Sequence, residues 1–131
     1  MVLYYLDTCI WRDYLENRND KFRPLGEWAF QLIRKIIEEE DKIIISDLLI
    51  FELRKDYSDE KIKKLFSVIP EKLMKKVKSS KYQMKRAIYT AKKNHFPYKD
   101  TLHAILSKDY KAIFVSRDNH FRNIDLIKSK K

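Results

Sequence analysis

The run Val2-Leu3-Tyr4-Tyr5-Leu6 is almost wholly apolar and rich in β-formers, the pattern of a strand buried on both faces. Further along, the period changes. Trp28, Ala29, Leu32, Ile33, Ile36 and Ile37 recur at the spacing of one helical face, which predicts a helix that buries this stripe. Ile43, Ile44 and Ile45 form a second short apolar run and predict a second strand. Ser46 or Asp47 can cap the helix that follows, from residue 48 to about residue 55. Ile62, Leu65, Phe66 and Ile69 mark another helix, ended by Pro70. Ser79 or Ser80 opens a long helix through Met84, Ala87, Ile88 and Ala91, which Pro97 breaks. Residues 10–16 give a short helix and residues 17–24 a polar loop. Residues 99–108 give a further helix, residues 112–115 a third strand and residues 124–127 a fourth.

Strands that alternate with helices, each strand apolar on both faces, define an α/β class. The expected architecture is a central parallel sheet of about four or five short strands, flanked by helices in three layers. One Gly and three Pro disfavour Gly-dependent hairpins. The length of 131 residues, without an internal repeat or low-complexity linker, is read as a single domain over residues 1–131. In parallel sheets the ligand site lies beyond the carboxyl ends of the strands, which says where chemistry belongs.

Charge adds a partner to this picture. Lys and Arg total 29 against 19 Asp and Glu, a formal net charge of +10, which suggests a polyanion. A solvated Lys/Glu-rich surface is the competing explanation. Residues 72–93 hold Lys75, Lys78, Lys81, Lys85 and Arg86 among other cations and no acid. Tyr82 and Tyr89 lie between them, a mixture suited to single-stranded RNA, whose phosphates meet cations and whose bases stack on rings. Cys9 is the only cysteine, so no intrachain disulfide forms and a reducing compartment is the simplest reading. The start lacks a basic lead, and no apolar run approaches the roughly 18 residues of a membrane span. A soluble cytoplasmic protein is therefore expected. Trp11, Tyr14 and Trp28 are candidates for an interface, with core packing the better use of Trp28.

Four carboxylates occupy positions where chemistry would lie. Asp7 directly follows the first strand, and Asp118 follows the third by two residues. Glu52 sits inside the apolar run Leu48-Leu49-Ile50-Phe51-Glu52-Leu53, and Asp100 opens a helix. A carboxylate among large apolar side chains is costly unless paired, hydrogen-bonded or bound to metal. Four converging carboxylates would repel one another, and a hard cation such as Mg²⁺ or Mn²⁺ removes that conflict. Each also has a structural use: Asp7 as a helix cap, Glu52 paired with a cation such as Arg54, Asp100 at a helix N-terminus, Asp118 in a turn. His103, three residues after Asp100, reads as a buried, hydrogen-bonded histidine in preference to a ligand. Cys9 reads as a packing residue, and no role is assigned to His95 or His120.

The ordered set of motifs resembles the PIN-domain ribonucleases. Leu3-Tyr4-Tyr5-Leu6-Asp7-Thr8-Cys9 looks like the family's opening strand and first acid. Ile44-Ile45-Ser46-Asp47-Leu48-Leu49-Ile50-Phe51-Glu52-Leu53 is similar to its strand, Ser and Glu-bearing helix. Asp100-Thr101-Leu102-His103-Ala104 resembles its Asp-x-x-His-Ala helix. Phe114-Val115-Ser116-Arg117-Asp118-Asn119-His120-Phe121 resembles its closing strand and acidic turn, with Ser116 in place of Thr and His120 at the second acidic position. Cys9 stands where the family usually has Ser or another small polar residue.

The resemblance implies a metal-dependent endoribonuclease that cuts single-stranded RNA, with Mg²⁺ (or Mn²⁺) held by Asp7, Glu52, Asp100 and Asp118. Thr8 and Ser116 would steady the carboxylates. Many small members are toxins of VapC-type toxin–antitoxin pairs, which implies a small antitoxin partner and a homodimer. An RNA-processing nuclease without an antitoxin and a non-catalytic RNA-binding module are the alternatives. A haloacid-type phosphatase would need an Asp where Cys9 stands, and a receiver would carry adjacent acids at the end of the first strand.

Overall fold

The computed structural model describes residues 1–19 and 22–116. Chain order gives β1 (Leu3–Leu6), α1 (Thr8–Glu16), α2 (Leu25–Glu38), β2 (Lys42–Ser46), α3 (Asp47–Leu53) and α4 (Asp59–Phe66). A short 3-10 turn (Glu71–Leu73) then leads into β3 (Met74–Val77), α5 (Lys81–Asn94), α6 (Tyr98–Asp109) and β4 (Ile113–Val115). Among the described residues four strands form one sheet in the order β3-β2-β1-β4. Every pairing is parallel: Tyr4 faces Ile43 and Ile113, and Ser46 faces Val77.

Strand alternation distributes the core. Leu6, Ile43 and Ile45 pack with Trp11, Ile33, Leu49 and Phe66 from α1 to α4. Tyr5 and Ile44 point the other way, onto Ala87, Leu102, Ile105 and Leu106 of α5 and α6. The result is three layers, α/β/α, with successive side chains of one strand serving opposite cores. Each Leu or Ile so buried contributes about 1.5–3 kcal/mol before conformational entropy is subtracted.

Local chemistry sets the boundaries. Asp7, extended at φ −62° and ψ 156°, caps α1 by accepting from the Thr8 N–H, so the helix begins two residues before its first apolar position. Asn17 ends it in the left-handed region at φ 48°. Ser46 caps α3 through the Leu49 N–H at 3.1 Å, deciding between the two candidate caps. Ser80 caps α5 and forms a capping box with Gln83.

Several expectations need correction. β3 was not predicted: in Met74-Lys75-Lys76-Val77 the two middle residues are exposed lysines, and the strand lies at the sheet edge, where charge discourages further pairing. The run at residues 113–115 is therefore the fourth strand. α4 stops at Phe66, leaving Ile69 buried in the loop beyond it. The tryptophans exchange roles. Trp11 is fully buried, edge-on to Phe66 at 5.0 Å, whereas Trp28 is 54% exposed at the margin of its helical stripe. The basic stretch 72–93 is divided among the 3-10 turn, the edge strand and α5. The strand expected at residues 124–127 lies outside the described residues.

Candidate active site

Parallel strands bring their carboxyl ends to one rim of the sheet. There β1 is followed by Asp7, β2 ends in Ser46 and β4 is followed by Ser116. The rim is closed by the Asp7 N–H, which donates to the Val115 carbonyl at 2.9 Å.

Asp7 is only 6% exposed. Its Oδ1 accepts from the Thr8 N–H at 2.8 Å, and its Oδ2 accepts from the Ser116 hydroxyl at 2.9 Å and the Cys9 thiol at 3.0 Å. All three donors are neutral, and no cationic side chain among the described residues pairs with it. Carboxylate oxygens of this type suit a hard cation such as Mg²⁺ or Mn²⁺.

Glu52 reaches the same region from α3. Its Oε1 accepts from the Thr8 hydroxyl at 2.7 Å and is hydrogen-bonded to His103 Nε2 of α6. Oε2 has no hydrogen-bond partner among the described residues. Burial pushes the carboxyl pKa up, but the hydrogen bond and charge of His103, the Thr8 hydroxyl and the charge of Lys99 outweigh it. The net position is below the usual glutamate value, and Glu52 stays ionised.

Behind Glu52 runs a buried polar chain. His103 Nδ1 lies 2.6 Å from the Tyr5 hydroxyl, which lies 2.8 Å from Ser46 Oγ. An ionised carboxylate only accepts, so Nε2 carries the hydrogen toward Glu52. Burial, foremost, raises the Tyr5 pKa far above its usual value, so the phenol keeps its proton within this chain. Ser46 Oγ shares a hydrogen bond with the Tyr5 hydroxyl and also accepts from the Leu49 N–H. The chain of contacts locks one strand, two helices and a cap together.

Asp100 occupies the first turn of α6, three residues before His103 and thus one helical turn away on that face. Asp118, Arg117 and His120 lie outside the described residues. Among the described residues no three His, Cys, Asp or Glu side chains approach closely enough to form a metal cage. The structure joins Asp7 to Ser116, and Glu52 to Thr8 and His103. Sequence reasoning gave no role to Tyr5 and Ser46 in this network, because nothing local marks a strand tyrosine as polar in use. Nor did it foresee the Cys9 thiol on Asp7, a contact made possible by the first turn of α1.

The basic candidates are spread out. Lys78 follows β3 and stands on the carboxylate rim, and Lys75, Lys81 and Lys85 are exposed. Arg86 is not free, since its Nη1 pairs with Asp109 at 2.7 Å. A second cationic group flanks Glu52. The ammonium groups of Lys55 and Lys99 lie 5.3 Å and 5.1 Å from the centroid of the exposed Phe51 ring. Lys99 also lies so close to Lys55 that it holds the Lys55 pKa below the usual lysine value.

A parallel sheet between two helical layers, with Asp7 at its carboxyl rim, defines a three-layer α/β protein. The sequence model of the PIN domain matches residues 4–127, and the chain belongs to the PIN-domain family. PIN domains are generally nucleases and generally use divalent metal ions. In architecture the chain is similar to a chain of the crystal structure of VapBC2 from Rickettsia felis bound to a DNA fragment from their promoter. The TM-score is 0.67 at 14% identity, covering 94% of this chain and 93% of that one. No curated protein matches it in sequence.

Proposed function

We propose that this protein is a metal-dependent endoribonuclease that hydrolyses phosphodiester bonds in single-stranded RNA, the toxin of a VapC-type toxin–antitoxin pair. The observation that carries the reading is Asp7, a nearly buried carboxylate at the end of the central strand with neutral donors and no cationic partner among the described residues. Membership of the PIN family supports the nuclease class, and the likeness in fold to a VapBC2 chain supports the toxin reading. On this reading a small antitoxin and a second copy of the chain are its protein partners, and the cytoplasm is its compartment. No helix among the described residues is long and apolar enough to cross a membrane.

Asp7, Asp100 and Asp118 would hold Mg²⁺ or Mn²⁺, with Glu52 beside them. When bound, the cation supplies an activated water and relief of phosphate charge. The chain's own residues do the rest. Ser116 and the Thr8 amide fix the Asp7 oxygens. Thr8 and His103 hold Glu52 through Oε1, and Oε2 is left to accept from an attacking water and orient it. Glu52, held ionised, is fit to accept a hydrogen bond rather than to donate one.

The test is cleavage of mixed-sequence single-stranded RNA with Mg²⁺, Mn²⁺ or chelator, comparing wild type with Asp7→Asn. Metal-dependent cutting that the folded variant lacks is expected. Equal cutting by both proteins would overturn the site, and salt-sensitive binding without any cutting would favour an RNA-binding module.

A further inference from the structure

Phe51 projects from α3 one residue before Glu52 and leaves 55% of its surface exposed. Two lysines from different elements meet on it. Lys55 follows the end of α3 and Lys99 stands in the first turn of α6, beside Asp100. No carboxylate among the described residues is in salt-bridge contact with either ammonium group. Like charges brought together on an exposed ring repel unless an anion lies between them. An aromatic face with paired cations has the chemistry of a nucleotide: the ring stacks on a base and the cations meet its phosphate. The group adjoins Glu52, whose carboxyl feels the Lys99 charge. A strand bound here would therefore enter the carboxylate rim.

We propose that Phe51, Lys55 and Lys99 form a clamp that holds one nucleotide of single-stranded RNA at the edge of the carboxylate site. The base stacks on the exposed ring and the phosphate lies between the two ammonium groups. The clamp deepens the nuclease reading given above and rests on it for the fate of the bound strand.

Binding is measured by fluorescence anisotropy of a short labelled oligouridylate, with chelator present so that no cutting intervenes. Phe51→Leu is expected to weaken binding about 5- to 150-fold with little change in salt dependence, and Phe51→Trp to restore it. Lys55→Gln/Lys99→Gln is expected to reduce the log–log salt slope by about 0.7, one phosphate contact, whereas Lys35→Gln on α2 leaves it unchanged. Far-UV circular dichroism checks that each variant is folded. Folded Phe51→Leu and double-lysine variants that bind like wild type overturn the clamp. So does a double-lysine variant that loses affinity for oligoglutamate yet keeps it for RNA, which would mark an acidic protein as the occupant. Clamp-dependent binding without metal-dependent cutting keeps the clamp and overturns the nuclease reading. Metal-dependent cutting with unchanged binding by the variants does the reverse.

Discussion

Tyr5→Phe removes one oxygen from a place where neighbours depend on it. The hydroxyl bridges Ser46 Oγ and His103 Nδ1 in the buried layer between β1 and α6. Without it, Nδ1 loses its partner and Ser46 keeps only its capping bond to Leu49. The expected loss is about 1–3 kcal/mol of folding free energy, the cost of a buried polar group left unmatched, read from urea denaturation. A loss near zero would mean that water enters and replaces the phenol. The same scale explains why Glu52 tolerates its apolar sequence neighbours. Its partner is His103 from a different helix, whereas Arg54, the nearby cation, is turned to Asp59.

Among elements, the junction of α1 and α2 brings two backbones into close approach. Asn17 ends α1 with a left-handed backbone, and the chain returns so that the Gly26 N–H donates to the Arg18 carbonyl at 2.8 Å. A Cβ added to Gly26 would lie 2.4 Å from the Asn17 Cα, which is backbone and cannot swing aside. Gly26→Ala should therefore displace α2 against α1 and cost about 1–3 kcal/mol, checked by thermal or chemical unfolding. A neutral result would show that the connection relaxes as a unit. The one glycine of the chain serves a close approach of backbones, a use its rarity in the sequence did not identify.

For the whole molecule, a site of negative charge within a chain of net charge +10 makes metal binding measurable as stability. A cation that binds only the folded state stabilises it by about 2.7 kcal/mol at one hundred times its Kd. Adding Mn²⁺ should raise the melting temperature of wild type, and Asp7→Asn should flatten that rise. A shift of equal size in both proteins would place the bound cation away from Asp7. The surplus of lysine is distributed over the edge strand, α5 and the Phe51 cluster, so positive charge borders the rim from more than one element.

Much of the fold follows from periodicity along the chain. The apolar runs at residues 3–6 and 43–45 became inner parallel strands, because burial on two faces leaves a local signature, and the helical stripes became α2 and α5; the run at 113–115 also became a parallel strand, though Ile113 is half exposed. The family resemblance came from the ordered motifs around Asp7, Glu52, Asp100 and Asp118, and the family match spans them. What local pattern could not carry was any choice made across the sheet. β3 was hidden because an edge strand needs no apolar face on its solvent side. Trp11 and Trp28 could be told apart only by what packs above them: Phe66 covers one, and the other lies at the margin of its stripe. Asp7 and Glu52 were legible as residues out of place. Thr8 and Ser116 were expected to steady carboxylates, but that Thr8 joins His103, Tyr5 and Ser46 behind Glu52 while Ser116 holds Asp7 was decided by tertiary structure. Hydrogen bonds between residues dozens of positions apart leave no period in the sequence, and only the stacking of β1, α3 and α6 brings their partners within reach.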